Sequence, residues 1–271
     1  MRNLFLLKSI PRTRAICLLL WFGLVIWVAA PIGLTQAPER ATGVLRLRVR
    51  VKVDDASPLR GLARKRFFLI RGSREQNLDV VHAIEQNTLP SRDCYYSKLG
   101  ASEQLRAWLR SGDCESIYCR AVDQNFVTGP NAVPEFTEAY AMGQKEFGND
   151  ETALRWISTK VSANLRDGFY KSRQSFVQTI LKQAQGSAET QVRSVMTDSN
   201  GTAYFTELEP GPYVLSSIVP TELGANSAIW NCDVLIKTGD LATEKPYLVS
   251  NRNDKNVKCV AVERPLPSCE K

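Results

Sequence analysis

The chain has 271 residues and a formal net charge of +7. Residues 1–37 hold four basic residues and no acids and so contribute +4 of this charge. The +3 left for the remaining chain is an ordinary surface charge, and it excludes the broad basic surface of a nucleic-acid-binding protein. With a single histidine, His82, the chain cannot supply the two-histidine zinc site of a metallopeptidase or most histidine-based catalytic sets.

An apolar run near the N-terminus follows the four basic residues. It extends from Ala15 to Leu34 without a charge, and its 20 residues are enough for a helix to cross the ~30 Å apolar core of a bilayer. Basic residues before such a run place the N-terminus in the cytoplasm and the rest of the chain outside. The run is either an uncleaved anchor or a cleaved export signal. Pro38 directly after the cleavage-like residues 35–37 favours the anchor.

Two β-strands are predicted after a short linker. Leucine and valine alternate with arginine and lysine between residues 45 and 53, as expected of a strand with one buried and one exposed face. The apolar run at residues 66–71 predicts a second strand. The basic residues of the first strand are Arg46, Arg48, Arg50 and Lys52. They form either a solvated face that also discourages edge pairing, or a surface that contacts anionic lipid headgroups or cell-wall polymers.

Residues 73–186 change character and show helical spacing. Ser102 is predicted to cap a short helix that ends near Leu109. The strongest helical pattern runs from residue 150 to residue 185, and Gly168 either divides it into two helices or kinks a single one.

Three tryptophans are candidates for core packing or for sugar stacking. Trp108 and Trp156 fall on apolar helical faces, so we expect both to pack in a core. Trp230 is expected at a strand edge.

Short β-type runs with defined turn residues occupy residues 191–219. Glycine supplies positive φ, proline presets φ, and aspartate can hydrogen-bond the backbone nearby. The positions concerned are Thr197, Asp198, Gly201, Phe205, Leu208, Pro210, Gly211, Tyr213 and Leu215. In this order and spacing they resemble the T-D-x-x-G and L-x-P-G-x-Y-x-L signature of carboxypeptidase regulatory-like domains. Those domains are transthyretin-like β-sandwiches, related in pattern to the collagen-adhesin B-type repeats of bacterial surface proteins.

The resemblance, together with the helical spacing of residues 73–186, implies a mainly β fold with an α insertion. We expect an antiparallel transthyretin-like β-sandwich that is interrupted by a helical insertion and preceded by one N-terminal transmembrane or signal helix. The expected division assigns residues 1–37 to the signal anchor or signal peptide, residues 44–72 plus 187–271 to the β-sandwich domain, and residues 73–186 to the helical insertion. The insertion is a departure from the family pattern.

Some adhesin relatives join a lysine to an asparagine through an isopeptide bond with the help of a buried acid. Lys52, near the first strand, and Asn251, near the last, hold comparable positions. Ser217 stands where the acid is usually found, so we do not expect the bond here.

Six cysteines lie outside the apolar run, and an even number in an exported chain indicates disulfides. They are Cys94, Cys114 and Cys119 in the insertion and Cys232, Cys259 and Cys269 in the C-terminal part. Because each group holds three, at least one bridge joins the groups if all six pair. The best single pair is Cys232 with Cys259, which would flank a hairpin. The rest of the connectivity stays open among the 15 possibilities.

We expect no catalytic residues, no cofactor and no metal. His82 lies in an apolar stretch and is interpreted as a structural residue. Glu135 and Glu138 share a helix face, and such a pair can serve a glycosidase, but the simpler interpretation is two solvated acids at the start of a helix.

The predicted function is that of a non-enzymatic structural or interaction module of a bacterial-type cell envelope, exposed outside the cytoplasmic membrane. The module would be membrane-anchored, or secreted if the leader is cleaved. The alternative is a carbohydrate or cell-wall polymer binding module. The expected partners are the membrane, through the N-terminal helix, and an envelope protein or polysaccharide, but no nucleic acid.

Overall fold

A computed structural model describes residues 42–86, 89–186, 191–239, 245–267 and Cys269. The apolar run at residues 15–34 lies outside these residues. Within them, no helix is both long enough and apolar enough to cross a bilayer.

The strands are β1 (Gly43–Val51), β2 (Arg60–Gly61), β3 (Arg66–Arg71), β4 (Val192–Met196), β5 (Thr202–Leu208), β6 (Gly211–Ser216), β7 (Thr221–Leu223), β8 (Asn226–Ile229), β9 (Asn231–Ile236), β10 (Tyr247–Ser250), β11 (Cys259–Val260) and β12 (Val262–Pro265). The α-helices are α1 (Leu78–Glu85), α2 (Arg92–Lys98), α3 (Glu103–Ser111), α4 (Pro134–Phe147), α5 (Asp150–Arg155), α6 (Ile157–Lys160) and α7 (Phe169–Gln185).

Two sheets pack face to face over one apolar core. The first sheet has the strand order β11-β10-β1-β2, and β5 also pairs with β1. The second sheet has the order β4-β3-β6-β9. Leu47 and Val49 of the first sheet and Leu69 and Leu215 of the second belong to the same buried cluster. Residues before and after the helical segment therefore build a single β-sandwich.

The alternation predicted for the first strand is present over the whole of β1. Every second residue of the strand is buried, and the arginines between them are partly exposed. β3 differs, because its Phe67 and Leu69 face the sandwich core while Phe68 and Ile70 face the helices. A strand covered on both sides needs apolar residues throughout, which explains its unbroken apolar run.

The helices cover the outer face of the second sheet. Ile84 of α1 and Ile180 of α7 pack with Phe68, Ile70 and Val214 in a second buried cluster. Helices α2 to α6 build a third cluster of their own, which is completed by Phe169 at the start of α7. The described residues all fall within one compact unit, residues 40–271.

The prediction of a mainly β, antiparallel protein is wrong in two respects. Of the residues that the structure describes, 36% are helical and 27% lie in strands, because the helical segment is long enough to build a core of its own. The first sheet is mixed rather than antiparallel, since β10 runs parallel to β1 and to β11. The other strand pairs, β1 with β2 and β5 among them, are antiparallel.

The predicted cap at Ser102 is confirmed, because its hydroxyl accepts a hydrogen bond from the Leu105 N–H at 3.1 Å. Trp108 is buried as expected, at 2% exposure, but Trp156 is 51% exposed. Trp156 lies at the junction where α5 ends and α6 begins, so the helical register changes at that residue. The predicted helical stretch from 150 to 185 is thus divided between α5, α6, a short π-helical turn at Asn164–Gly168, and α7.

Candidate functional site

The turn-motif residues hold the two sheets together. The Thr197 hydroxyl donates to the Leu62 carbonyl at 2.6 Å and accepts from the Lys65 N–H at 3.0 Å. Thr197 thereby links the loop between β2 and β3 to the end of β4. The Asp198 carboxylate accepts from the N–H groups of Asn200 and Thr202, both at 2.8 Å, and so closes the following turn.

Gly201 lies in this turn with φ +76°, and its carbonyl accepts a hydrogen bond from the Val49 N–H of the first sheet at 2.7 Å. A Cβ at this position would lie 2.3 Å from the Val49 carbonyl oxygen, so only glycine fits. Phe205 is buried in the sandwich core.

The second half of the motif forms a tyrosine corner. Gly211 has φ +143°, and the buried Tyr213 donates from its hydroxyl to the Glu209 carbonyl at 2.8 Å, across Pro210. Burial raises the pKa of Tyr213. These contacts give the motif residues structural roles.

Three disulfides are present. Cys232 pairs with Cys259, as the sequence suggested. Cys94 pairs with Cys269 and joins α2 to the C-terminal segment, so one bridge does cross between the two cysteine groups. Cys114 pairs with Cys119 within the helical part. No group of His, Cys, Asp and Glu side chains in the described part of the chain is arranged to hold a metal ion.

A cleft of about 470 Å³ opens between the sandwich and the helices. Its lining residues lie mostly within residues 60–68, 112–119, 170–177 and 217–221. Three non-glycine residues at its walls have positive φ. Arg64, at 55°, and Asp113, at 50°, line the cleft, and Ile218, at 59°, lies between the lining residues Ser217 and Val219. A β-branched residue rarely adopts this conformation, and such strain is concentrated at functional sites. The cleft is therefore the candidate site.

A network of six charged side chains lies at the floor of the cleft and directly beneath it. Its members are Lys65, Arg92, Asp113, Glu115, Arg173 and Glu222. Lys65 Nζ lies 3.4 Å from Asp113 and 3.5 Å from Glu115, and Arg173 Nε lies 3.5 Å from Glu115 Oε2. Three cations balance three acids, so the network carries no net charge.

Arg92 connects this network to the small sheet formed by β7, β8 and β12. Its side chain lies 3.3 Å from the Glu222 carboxylate of β7 and donates to the Cys114 carbonyl at 3.1 Å. The backbone N–H of Arg92 also donates to Glu222, at 2.5 Å. Only 9% of the Arg92 side chain and 15% of the Glu222 side chain are exposed, so the pair is held away from solvent.

Glu115 has a shifted pKa. Burial is the largest influence and alone would raise the pKa of this carboxyl, but Arg173, Lys65 and Arg92 together lower it below the ordinary value. Glu115 is therefore ionised more readily than a free glutamate and pairs with the cations around it.

The rim of the cleft is more basic than its floor. Arg60, Arg64 and Arg66 line it and are exposed, and Tyr170 and Met196 add exposed apolar surface, at 45% and 53%. Exposed arginines beside an aromatic ring and a flexible thioether are typical of protein-binding surfaces. The rim can therefore take a partner that carries both acidic and apolar groups.

A second cavity, of about 350 Å³, lies on the other side of the ion network. It shares Arg173 and Glu222 with the network, and the rest of its lining is mainly apolar and proline-rich.

The sequence-predicted acids and the histidine lie apart from the cleft. Glu135 is not a solvated acid, because its carboxylate accepts hydrogen bonds from the N–H and the hydroxyl of Ser102, at 2.6 and 2.7 Å. Glu138 is exposed. His82 is also exposed, on α1, with its Nε2 2.8 Å from the side-chain nitrogen of Gln86.

Trp230 corrects another expectation. It is fully buried between the sheets rather than at a strand edge, and its indole N–H donates to the Ser250 carbonyl at 3.0 Å. An indole in this position fills the core, while its single polar group finds a partner.

The charged network was not foreseen from the sequence. Its members come from five separate segments of the chain, and no local spacing relates Arg92 or Arg173 to Glu115 or Glu222. The closely spaced basic residues at 60–66 are the one local signal that points to the cleft. No protein-family model matches the chain, and no curated protein and no solved structure is similar enough to it to count as a match.

Proposed function

We propose that this protein is a non-enzymatic interaction module that works outside the cytoplasm and binds a protein partner at the cleft between its sandwich and its helices. The observation that carries the proposal is the cleft itself. Its rim is basic and apolar, and its floor is formed by the network of charged side chains that are already paired with one another. Binding surfaces whose groups are already held in place lose less conformational entropy when a partner docks.

The three disulfides support the proposed location. Bridges of this kind persist in oxidising compartments outside the cytoplasm. Together with the apolar run at residues 15–34, they suit a protein of a bacterial-type cell envelope that is anchored by this run, or released if the run is cleaved.

The proposed partner is an envelope protein that presents a segment with acidic and apolar side chains. The acidic groups would meet Arg64 and Arg66, and the apolar groups would cover Tyr170 and Met196. Exposed charges of this kind contribute mainly to the rate and specificity of association, while the aromatic residue contributes to affinity.

Site-specific photo-crosslinking in the native envelope tests this function. The full chain would carry a photoreactive residue at Met196 in the cleft or, as a control, at Trp156, which is similarly exposed but lies outside the cleft. We expect a discrete adduct from position 196 that position 156 does not give, and its loss when Arg64→Glu and Arg66→Glu are added. Equal adducts from both positions, or an adduct that survives the charge reversal, would contradict the proposal.

A further inference from the structure

Three arginines and a lysine form a straight row on the exposed face of the first sheet. Arg46, Arg48 and Arg50 are the outward residues of β1, and Lys52 continues the alternation just past its end. Alternate residues of a strand are about 6.7 Å apart, so the row extends for about 20 Å. This set of four residues is called the basic row below.

The basic row does not protect a sheet edge. β1 is an interior strand, with β10 on one side and β2 and β5 on the other. The backbone N–H and C=O groups of β1 are therefore largely bonded to these neighbouring strands and are not available to another chain. Edge protection, which the sequence allowed only as an additional role of a solvated face, therefore does not account for these residues.

Among the described residues, no acid neutralises the first two residues of the row, whereas Lys52 lies close enough to Asp54 to lower the pKa of that carboxyl, after the hydrogen bonds of Asp54 with Ser57. In the part of the chain that the structure describes, Arg46 and Arg48 have no ion-pair or hydrogen-bond partner, and the buried Nε of each is unpaired. Arg50 donates to a backbone carbonyl, that of Leu59, at 2.9 Å. Like charges this close on one face repel one another, and a bound anion would remove that repulsion.

The residues paired with Arg46 and Arg48 are uncharged. On β5, Tyr204 lies opposite Arg46 and Thr202 lies opposite Arg48. On β10, Leu248 lies opposite Arg48. Directly paired residues share a face of the sheet, so the positive charge forms a line with polar and aromatic borders rather than a broad patch.

We propose that the basic row binds an extended anionic polymer with phosphodiester linkages, which lies along β1. Guanidinium groups bind phosphate oxygens in a bidentate manner, and the 47% exposed ring of Tyr204 can stack on a sugar or polyol unit between phosphates. A line of charges matches a linear polymer. A bilayer surface is matched better by a wide basic patch with apolar residues that insert among the lipids. This site is separate from the cleft and does not depend on the protein-binding function.

Binding of a labelled polymer to the full chain in detergent micelles tests the inference. The probe is fluorescein-labelled poly(glycerol phosphate), measured by fluorescence anisotropy at low and at moderate salt. The Arg46→Gln, Arg48→Gln double variant should bind at least fivefold more weakly than the unaltered chain and should show a smaller salt dependence. A matched variant with the same change in charge, Lys98→Gln, Lys145→Gln, alters two exposed helical lysines and should bind within about twofold of the unaltered chain.

Three outcomes would overturn the inference. They are no binding of the polymer, equal losses in the two double variants, and preferential binding of phosphatidylglycerol vesicles that the row variant abolishes while polymer binding is unchanged. Labelled neutral dextran should not bind, and single-stranded DNA distinguishes a general affinity for phosphate from a preference for the polyol polymer. If the double variant unfolds, polymer binding is measured with Arg48→Gln alone, and the unfolding midpoint of this single variant is measured to verify that it is folded. The Met196 crosslink should persist in the row variant, so the cleft function and the polymer site can fail separately.

Discussion

Asn251 binds both backbone polar groups of Lys52, a residue 199 positions earlier in the chain. Its Oδ1 accepts from the Lys52 N–H at 2.9 Å, and its Nδ2 donates to the Lys52 carbonyl at 2.8 Å. The same Nδ2 donates to Glu263 at 2.6 Å. The two residues considered for an isopeptide bond are thus neighbours, but they meet through the Lys52 backbone at the point where the pairing of β1 with β10 ends.

Asn251→Ala should destabilise the fold by about 1–3 kcal/mol, because it leaves two backbone groups of Lys52 and one carboxylate without their partner. Urea unfolding followed by circular dichroism measures the change. Asn256→Ala, in an exposed part of the same loop, is the control and should change stability by less than about 0.5 kcal/mol. Equal unfolding midpoints for the two variants would show that the clamp at Lys52 contributes nothing.

Gly201→Ala should cost at least about 2 kcal/mol more than Gly129→Ala. Both glycines have positive φ, at 76° and 97°, so alanine is strained at either position. Only at Gly201 would the new methyl group meet neighbouring backbone, whereas nothing lies within 4 Å at Gly129. The difference between the two unfolding free energies therefore isolates the close approach of the turn to β1. Similar losses in both variants would mean that the backbone can move aside.

Removal of the Cys94–Cys269 bridge should destabilise the protein more than removal of the Cys114–Cys119 bridge. The paired residues are 175 and 5 positions apart, and the chain-entropy relation gives about 5 and about 2 kcal/mol. The double variants Cys94→Ser, Cys269→Ser and Cys114→Ser, Cys119→Ser should thus differ by about 3 kcal/mol in unfolding free energy. Peptide mapping without reduction verifies the pairing first. A larger loss from the short bridge would contradict the entropic argument.

Glu115→Gln should remove a part of the stability that depends on pH. The folded-state pKa of Glu115 lies below its ordinary value of about 4.3, so the ionised group stabilises the fold above that pH. This contribution is lost as the pH falls from about 4.3 through the folded-state pKa. We expect the variant to be less stable than the unaltered chain by about 1–3 kcal/mol at pH 7, with a difference that shrinks towards pH 3.

Urea unfolding at pH 7, 5, 4 and 3 measures this effect. Glu138→Gln, which changes an exposed acid, should show little difference from the unaltered chain at any of these pH values. A gap between Glu115→Gln and the unaltered chain that stays constant down to pH 3 would rule out a role of the ionised carboxylate.

Local patterns in the sequence were enough to predict β1, β3, the cap at Ser102 and the turn at Gly201. Each of these depends on neighbouring residues: alternation, an apolar run, a side chain three residues from the N–H that it binds, or a residue type with special backbone freedom. These features are visible in a single sequence because the physical cause lies within a few positions.

The parallel strands, the exposed Trp156 and the charged network could not be predicted in the same way. The pairing of β10 with β1 joins residues about 200 positions apart, and no local pattern distinguishes it from an antiparallel neighbour. Trp156 continues the apolar spacing of α5, but the helix ends there. The six-residue charged network exists only after five segments of the chain have packed together, so the sequence alone does not reveal it.

Because β3 is covered on both faces, the helices cannot be removed from this protein as a separable module. A shortened chain that joined β3 directly to β4 would expose Phe68, Ile70 and Val214 to water as a continuous apolar surface on the second sheet. Such a chain would associate with itself rather than stand alone. The helical segment between these strands covers the second sheet and also forms one wall of the cleft. We therefore expect the sandwich and the helices to unfold in a single cooperative transition.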